Sequence, residues 1–202
     1  MLVKTYCAAV NGLDVTTVTI EVSLTKGVMF RMTGLGDTAV REGRDRMAAA
    51  LVNNGYLFPN ADITVNMAPA DLRKEGSGFD LPLAIGVLAA SKQIEPVGLD
   101  RIMLVGELGL DGALQPVKGA LPIAMRAKAD GFVALVVPQQ NVREAAVVEG
   151  IRVYGMSQMK EVISMITGQE RFQPVSVDTR KEFYDQQYST ELDYADVRGQ
   201  QQ

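Results

Sequence analysis

The sequence predicts an α/β (α+β) fold, a mixed sheet sandwiched with helices in one domain, and three observations carry that prediction. The first third alternates apolar and polar residues between turn signals, residues 80–90 are apolar on nearly every side of a helix, and helical and strand-like stretches alternate from residue 118 onward. With 202 residues, 47% hydrophobic and 22% charged, the chain is long enough to bury one core. No internal repeat or low-complexity tract interrupts it.

Val3–Val10 and Val15–Leu24 read as strands joined at Asn11-Gly12, a pair suited to a hairpin turn, and Val18, Ile20, Val22 and Leu24 mark the buried face of the second. Lys26-Gly27 leads into a third strand, Val28–Met32, which completes a predicted antiparallel meander. Asp37 or Thr38 caps a helix that ends at Asn54-Gly55, where Asn and Gly supply a left-handed finish. Val40, Met47 and Leu51 form its buried stripe. Its outer face carries Arg41, Glu42, Arg44, Asp45 and Arg46, with Arg41/Asp45 and Glu42/Arg46 four apart as ion pairs. That face is read as a solvated surface or as a nucleic-acid contact.

Ile63, Val65 and Met67 alternate as a short strand that Pro69 stops. The chain then enters Ala70–Ala84, a glycine-punctuated loop that starts the apolar helix Asp80–Ala90. Gly76 and Gly78 admit positive φ or close approach, and the free N–H groups of the helix start suit an anion or carbonyl; a capped turn is the plainer reading. Asp80 is expected at the N-cap or in the first turn beside Pro82, where the helix dipole favours a carboxylate. Ile102–Val105 reads as a buried strand and Gly106–Gly112 as a tight hairpin-like segment. Its Glu107 is either one pole of a polar site with Lys74 or Lys118, or a satisfied carboxylate at a strand end. Lys118–Asp130, Asn141–Val148 and Ser157–Ile166 read as helices, with Ala134–Val137 and Ile151–Tyr154 as strands between them.

Composition removes several chemistries. The chain contains no histidine, so Ser-His-Asp, Cys-His and His-Glu-x-x-His sites are excluded. It contains no Gly-Lys pair and hence no phosphate-binding P-loop. Cys7 is the single cysteine, set in an apolar run, and reads as a buried thiol in a reducing compartment. No stretch approaches the ~20 apolar residues of a membrane span, so a cytoplasmic protein with no membrane partner is expected. Residues 1–168 carry 16 Lys and Arg against 17 Asp and Glu, and the remainder 4 against 7, so the acidity lies in the tail.

Specific stretches resemble a known family, the bacterial Mg-chelatase-like AAA+ ATPases of the YifB/ComM type. They include Thr33-Gly34-Leu35, Val40-Arg41-Glu42, Arg44-Asp45-Arg46, Ala68-Pro69-Ala70-Asp71-Leu72, Lys74-Glu75-Gly76, Phe79-Asp80-Leu81-Pro82, Gly106-Glu107-Leu108 and Gln115-Pro116-Val117-Lys118-Gly119. The resemblance implies a Lon-protease-like, ribosomal-protein-S5-domain-2-like sandwich over residues 1–168, a linker over 169–191, and at 192–202 the entry to an AAA+ ATPase module. It implies ATP and Mg²⁺ for the full-length protein, a homo-hexamer, and DNA translocation or branch migration during natural transformation. The likeness to chelatases is expected in the ATPase part. Arg41, Arg44, Arg46, Arg73 and Lys74 are the candidate contacts to DNA or a partner.

Lon-type proteases use a Ser-Lys dyad. Matched to their motifs, the sequence places Gly78 at the nucleophile's position and Leu121 at the lysine's, so no catalytic residue is expected. Ser77 and Lys118 are the nearest substitutes, though proton transfer requires heavy atoms within about 3 Å. The alternatives to a non-catalytic accessory domain are a Lon-like peptidase and a protein-binding or chaperone platform.

Overall fold

β1 (Leu2–Asn11) and β2 (Asp14–Thr25) form a long hairpin, paired in register from Leu2 with Ser23 to Asn11 with Asp14, so that Asn11 closes the ladder and the chain turns after it rather than on the Asn11-Gly12 pair. In the computed structural model, which describes residues 1–12, 14–34 and 37–177, this hairpin occupies the middle of a seven-stranded mixed sheet of order β3-β4-β2-β1-β5-β8-β9. The expected meander is corrected here. β3 (Phe30–Thr33) does not pair with β2; β4 (Asp62–Ala68) lies between them, antiparallel to β2 and parallel to β3. Burial explains the exchange. Ile63, Val65 and Met67 are almost wholly enclosed and take the inner position, whereas β3 is half exposed and takes the edge. Residues 26–29 form a loop rather than a hairpin turn, held where the Met29 N–H donates to Asp62 Oδ1 at 2.8 Å.

On the other side of the hairpin, β5 (Ile102–Leu104), β8 (Ala134–Pro138) and β9 (Arg152–Met156) run parallel to β1. β6 (Glu107–Leu108) and β7 (Leu114–Gln115) form a separate two-stranded ribbon. The connecting helices are α1 (Thr38–Asn53), α2 (Asp80–Ala90), α3 (Ala120–Ala129), α4 (Val142–Ala145) and α5 (Met159–Ile166). The helix expected over 118–130 starts at Ala120, because Gly119 adopts a φ of 78°. The one expected over 141–148 contracts to a 3₁₀ turn and the four residues of α4. The Asn141 side chain instead brackets Val117, accepting from its N–H at 2.9 Å and donating to its carbonyl at 2.8 Å.

Strand alternation assigns the helices to faces. Thr5 donates to the Pro82 carbonyl at 3.0 Å, which fixes α2 on the face carrying Thr5 and Cys7. On the opposite face the Tyr6 and Phe132 rings lie 5.3 Å apart and Thr17 donates to Asp130, just past α3. All eleven residues of α2 are buried; Leu81, Ile85 and Leu88 each contribute about 1.5–3 kcal/mol of hydrophobic stabilisation. Residues 169–177 run along the outer edge of β9, with the Val175 N–H donating to Val153 at 2.8 Å and Phe172, Val175 and Val177 packed on the core. The rest of the expected linker and the 192–202 segment lie outside the described residues. No helix among the described residues is long and apolar enough to cross a membrane.

Candidate functional site

The loop that leads into α2 forms one wall of a cleft of about 540 Å³, whose other walls come from the ends of β1 and β5, from Glu107 on β6, and from residues 116–118. Local hydrogen bonds set the loop. The Asp37 side chain caps α1 through the Val40 N–H at 2.9 Å and with its other oxygen accepts the Gly76 N–H at 3.2 Å, while the Asp37 N–H donates to the Lys74 carbonyl at 3.1 Å. Gly76 has a φ of 85°, which a residue with a Cβ adopts only under strain. The Gly78 carbonyl accepts from the Gly106 N–H at 2.9 Å and from the Cys7 thiol at 3.5 Å, so the floor of the cleft is tied to β1 and to the turn after β5. Burial pushes the Cys7 thiol up to about 12, which makes it inert at neutral pH.

Beneath the loop lies an ion pair that joins residues 34 positions apart. Arg46 contacts Asp80 through Nε to Oδ2 at 2.7 Å and Nη2 to Oδ1 at 3.1 Å, and Nη2 also donates to the Ala39 carbonyl at 3.0 Å. Asp80 Oδ2 accepts the Leu108 N–H at 3.2 Å, so α1, α2 and β6 meet on one carboxylate. The Asp80 side chain is 2% exposed and that of Arg46 21%. Burial pushes the Asp80 carboxyl up against the downward pull of Arg46 and the Leu108 N–H, and the hydrogen bond from Arg46 to Asp80 holds the guanidinium up in turn. The close approach depends on Gly43, where a Cβ would collide with Asp80 Oδ1.

These contacts correct several sequence expectations. Of the two places expected for Asp80 it takes the first turn of the helix and not the N-cap, which Phe79 holds without a side-chain bond, and its carboxylate turns inward to Arg46. Arg46 is thereby committed to the interior and does not form the pair with Glu42 that helix spacing suggests. Lys74 is fully buried, donating to the Pro69 carbonyl, and burial holds its ammonium below the ordinary lysine value, so it is not part of an exposed basic arm. Glu107 accepts a hydrogen bond from the Ser77 hydroxyl, a partner the sequence reading did not name.

The remaining candidates are dispersed. Arg73 is exposed and paired with Glu75 at 3.0 Å. Arg44 pairs with Asp45 at 3.0 Å and lies over the Phe30 and Phe58 rings at 5.4 and 5.7 Å. The side chain of Arg41 lies outside the described residues. Lys118 lines the same cleft as Ser77, Gly78 and Glu107, while Leu121 does not line it; the Leu121 N–H donates to Glu144 at 3.0 Å. Among the described residues no three His, Cys, Asp or Glu side chains are grouped to hold a metal ion, and the sequence contains no P-loop.

Gly43, an unusual residue one turn ahead of Arg46 on a charged helix face, was the signal in the sequence that a neighbour approaches there. Nothing local announces the Ser77–Glu107 bond, which spans 30 positions.

The profile of the family described as subunit ChlI of Mg-chelatase matches residues 20–141, a span that holds α1, the cleft loop, Glu107 and Lys118. The chain belongs to this family. The ChlI match falls inside the sandwich, whereas the chelatase likeness was expected in the ATPase part. Similar proteins include competence protein ComM of Haemophilus influenzae, 37% identical over 97% of this chain, and YifB of Escherichia coli, 38% identical over 96%. The chain spans 38% and 37% of their lengths, respectively. A more distant relative, Lon protease 2 of Bacillus subtilis, is 26% identical over 52% of this chain.

Proposed function

We propose that this chain is a non-enzymatic accessory domain of a ChlI-family AAA+ protein, in which a module beyond the sandwich binds ATP and Mg²⁺ and drives movement along DNA in a cytoplasmic homo-hexamer. The observation that carries the reading is the cleft: Gly78, matched by resemblance to the nucleophile's position, lines it, whereas Leu121, matched to the lysine's, does not. Neither glycine nor leucine has a group that attacks a carbonyl or takes a proton. The name of the relative ComM, a competence protein, supports a role in DNA uptake or integration for the complete protein.

The Lon-like peptidase is kept as a second reading because Ser77 and Lys118 line one cleft. Against it, the Ser77 hydroxyl donates to the Glu107 carboxylate rather than to a lysine amine, so the Ser-Lys contact that a Lon-type dyad requires is replaced by a different one. Treatment with a fluorophosphonate probe and incubation with casein separate the readings. We expect neither labelling nor cleavage; a Ser77 adduct lost in Lys118→Ala would establish the peptidase and sink the accessory-domain reading.

A further inference from the structure

The cations that sequence suggests for nucleic-acid contact are largely engaged, but three others gather at the end of the sheet opposite the cleft. β5, β8 and β9 begin side by side, with Ile102 opposite Ala134 and Ala134 opposite Arg152. Arg101 directly precedes β5 and Arg152 opens β9. Val133 links them: its N–H donates to the Arg101 carbonyl at 3.0 Å, and its carbonyl accepts from the Arg152 backbone at 3.3 Å and from Arg152 Nε at 3.4 Å. Lys128, in the last turn of α3, lies against Gly150, where an added Cβ would sit 3.3 Å from Lys128 Cε. Two adjoining cavities of about 640 and 260 Å³ share Val133 and Arg152; Lys128 lines the larger, and Arg101 and Tyr154 line the smaller.

Among the described residues none of these three cations forms an ion pair. The neighbouring carboxylates are arranged around them. Asp130 is taken by Arg126 and Thr17, Asp100 lines a different cavity with Lys4 and Lys92, and Glu149 is exposed just before Gly150. We propose that Arg101, Lys128 and Arg152 form a contact surface for the phosphate backbone of single-stranded nucleic acid. The inference rests on the DNA reading given above and assigns it a surface. Two guanidinium forks and an ammonium, about two strand spacings or ~10 Å across, suit successive phosphates, and Tyr154, half-buried against the core, lines the same cavity as Arg101 and Arg152. Such contacts position a strand without reading its sequence.

Anisotropy of a labelled oligo-dT with the 202-residue chain at low salt tests this. Binding should weaken with salt at a log–log slope of about −2, as three phosphate contacts on a single strand require. Replacing Arg101, Lys128 and Arg152 together by Ala should weaken binding ~10-fold or more at low salt and flatten that slope, whereas Arg44→Ala with Arg73→Ala should leave both unchanged. Equal binding by the triple variant, loss in the Arg44/Arg73 control, or displacement by polyglutamate as effective as by unlabelled DNA would each overturn the surface. Absence of binding by the unaltered chain would overturn it as well. DNA-stimulated ATP hydrolysis by the polypeptide carrying the ATPase module tests the parent reading separately, since it can persist with all three cations replaced.

Discussion

The two ends of the parallel strands are built on opposite electrostatic plans. At the cleft end, charge is turned inward: Asp80 and Arg46 close on each other beneath the loop, Asp37 joins α1 to Gly76, and Glu107 takes the Ser77 hydroxyl. At the far end, Arg101, Lys128 and Arg152 face solvent without ion pairs among the described residues. Charges that are hydrogen-bonded and enclosed hold a shape and are costly to disturb, whereas exposed ones contribute little to stability and remain available to a partner. The first end is therefore read as a positioned scaffold and the second as a contact surface.

The difference predicts a gradient of stability effects. The largest belongs to Arg46→Ala, which leaves the Asp80 carboxylate buried with only the Leu108 N–H; a loss of about 3 kcal/mol is expected in urea unfolding. Asp80→Ala should cost less, because the Arg46 guanidinium is nearer solvent. Equal costs for the two would show that the pair is not as one-sided as its burial. Gly43→Ala forces the same pair apart and should cost about 1–3 kcal/mol. Combined with Asp80→Ala its cost should shrink, and simple additivity would place the strain elsewhere.

A third effect is visible only in alkali. The fold holds the Cys7 thiol at about 12 against 9.0 unfolded, so its contribution is intact below pH 9 and is lost as pH rises, because the unfolded chain gives up the proton first. Stability should fall by about 1.4 kcal/mol per pH unit across that window, and Cys7→Ala should flatten the slope. Lys74 acts in the opposite sense. Its lowered value means that the cost of burying the ammonium is fully present at neutral pH and is relieved as pH rises through the folded value towards 10.5. Lys74→Met is accordingly expected to be neutral or stabilising by up to about 1 kcal/mol at pH 7; a clear destabilisation would mean that its bond to Pro69 outweighs desolvation. The smallest effects belong to the far end, where Ala at Arg101, Lys128 or Arg152 should change stability by within about 0.5 kcal/mol.

Most elements were legible because their signals are local. The β1–β2 hairpin follows from Asn11-Gly12 and alternation, α2 from its unbroken apolar run, and the parallel half from alternating helix and strand. The position of β3 was not legible, since a short half-exposed strand pairs equally well by local rules with either neighbour; the greater burial of β4 decides it. Motif resemblance drew attention to Ser77 and Lys118 as the residues nearest the expected dyad positions, and both line the cleft. The partner of Glu107 was not, and Lys74 and Arg46 were misplaced because charge on a loop or helix face reads as exposed unless something distant encloses it.

By itself the sequence determined the strand and helix periods and the absence of histidine and of a P-loop, all of which are properties of residues and their immediate neighbours. Tertiary structure alone decided which charges are spent. Arg46 meets Asp80, Ser77 meets Glu107, and Arg101, Lys128 and Arg152 come together only when chain segments distant in sequence are packed side by side. Coulomb and hydrogen-bond energies depend on those distances and on the exclusion of water between the groups, and neither is encoded in spacing along the chain.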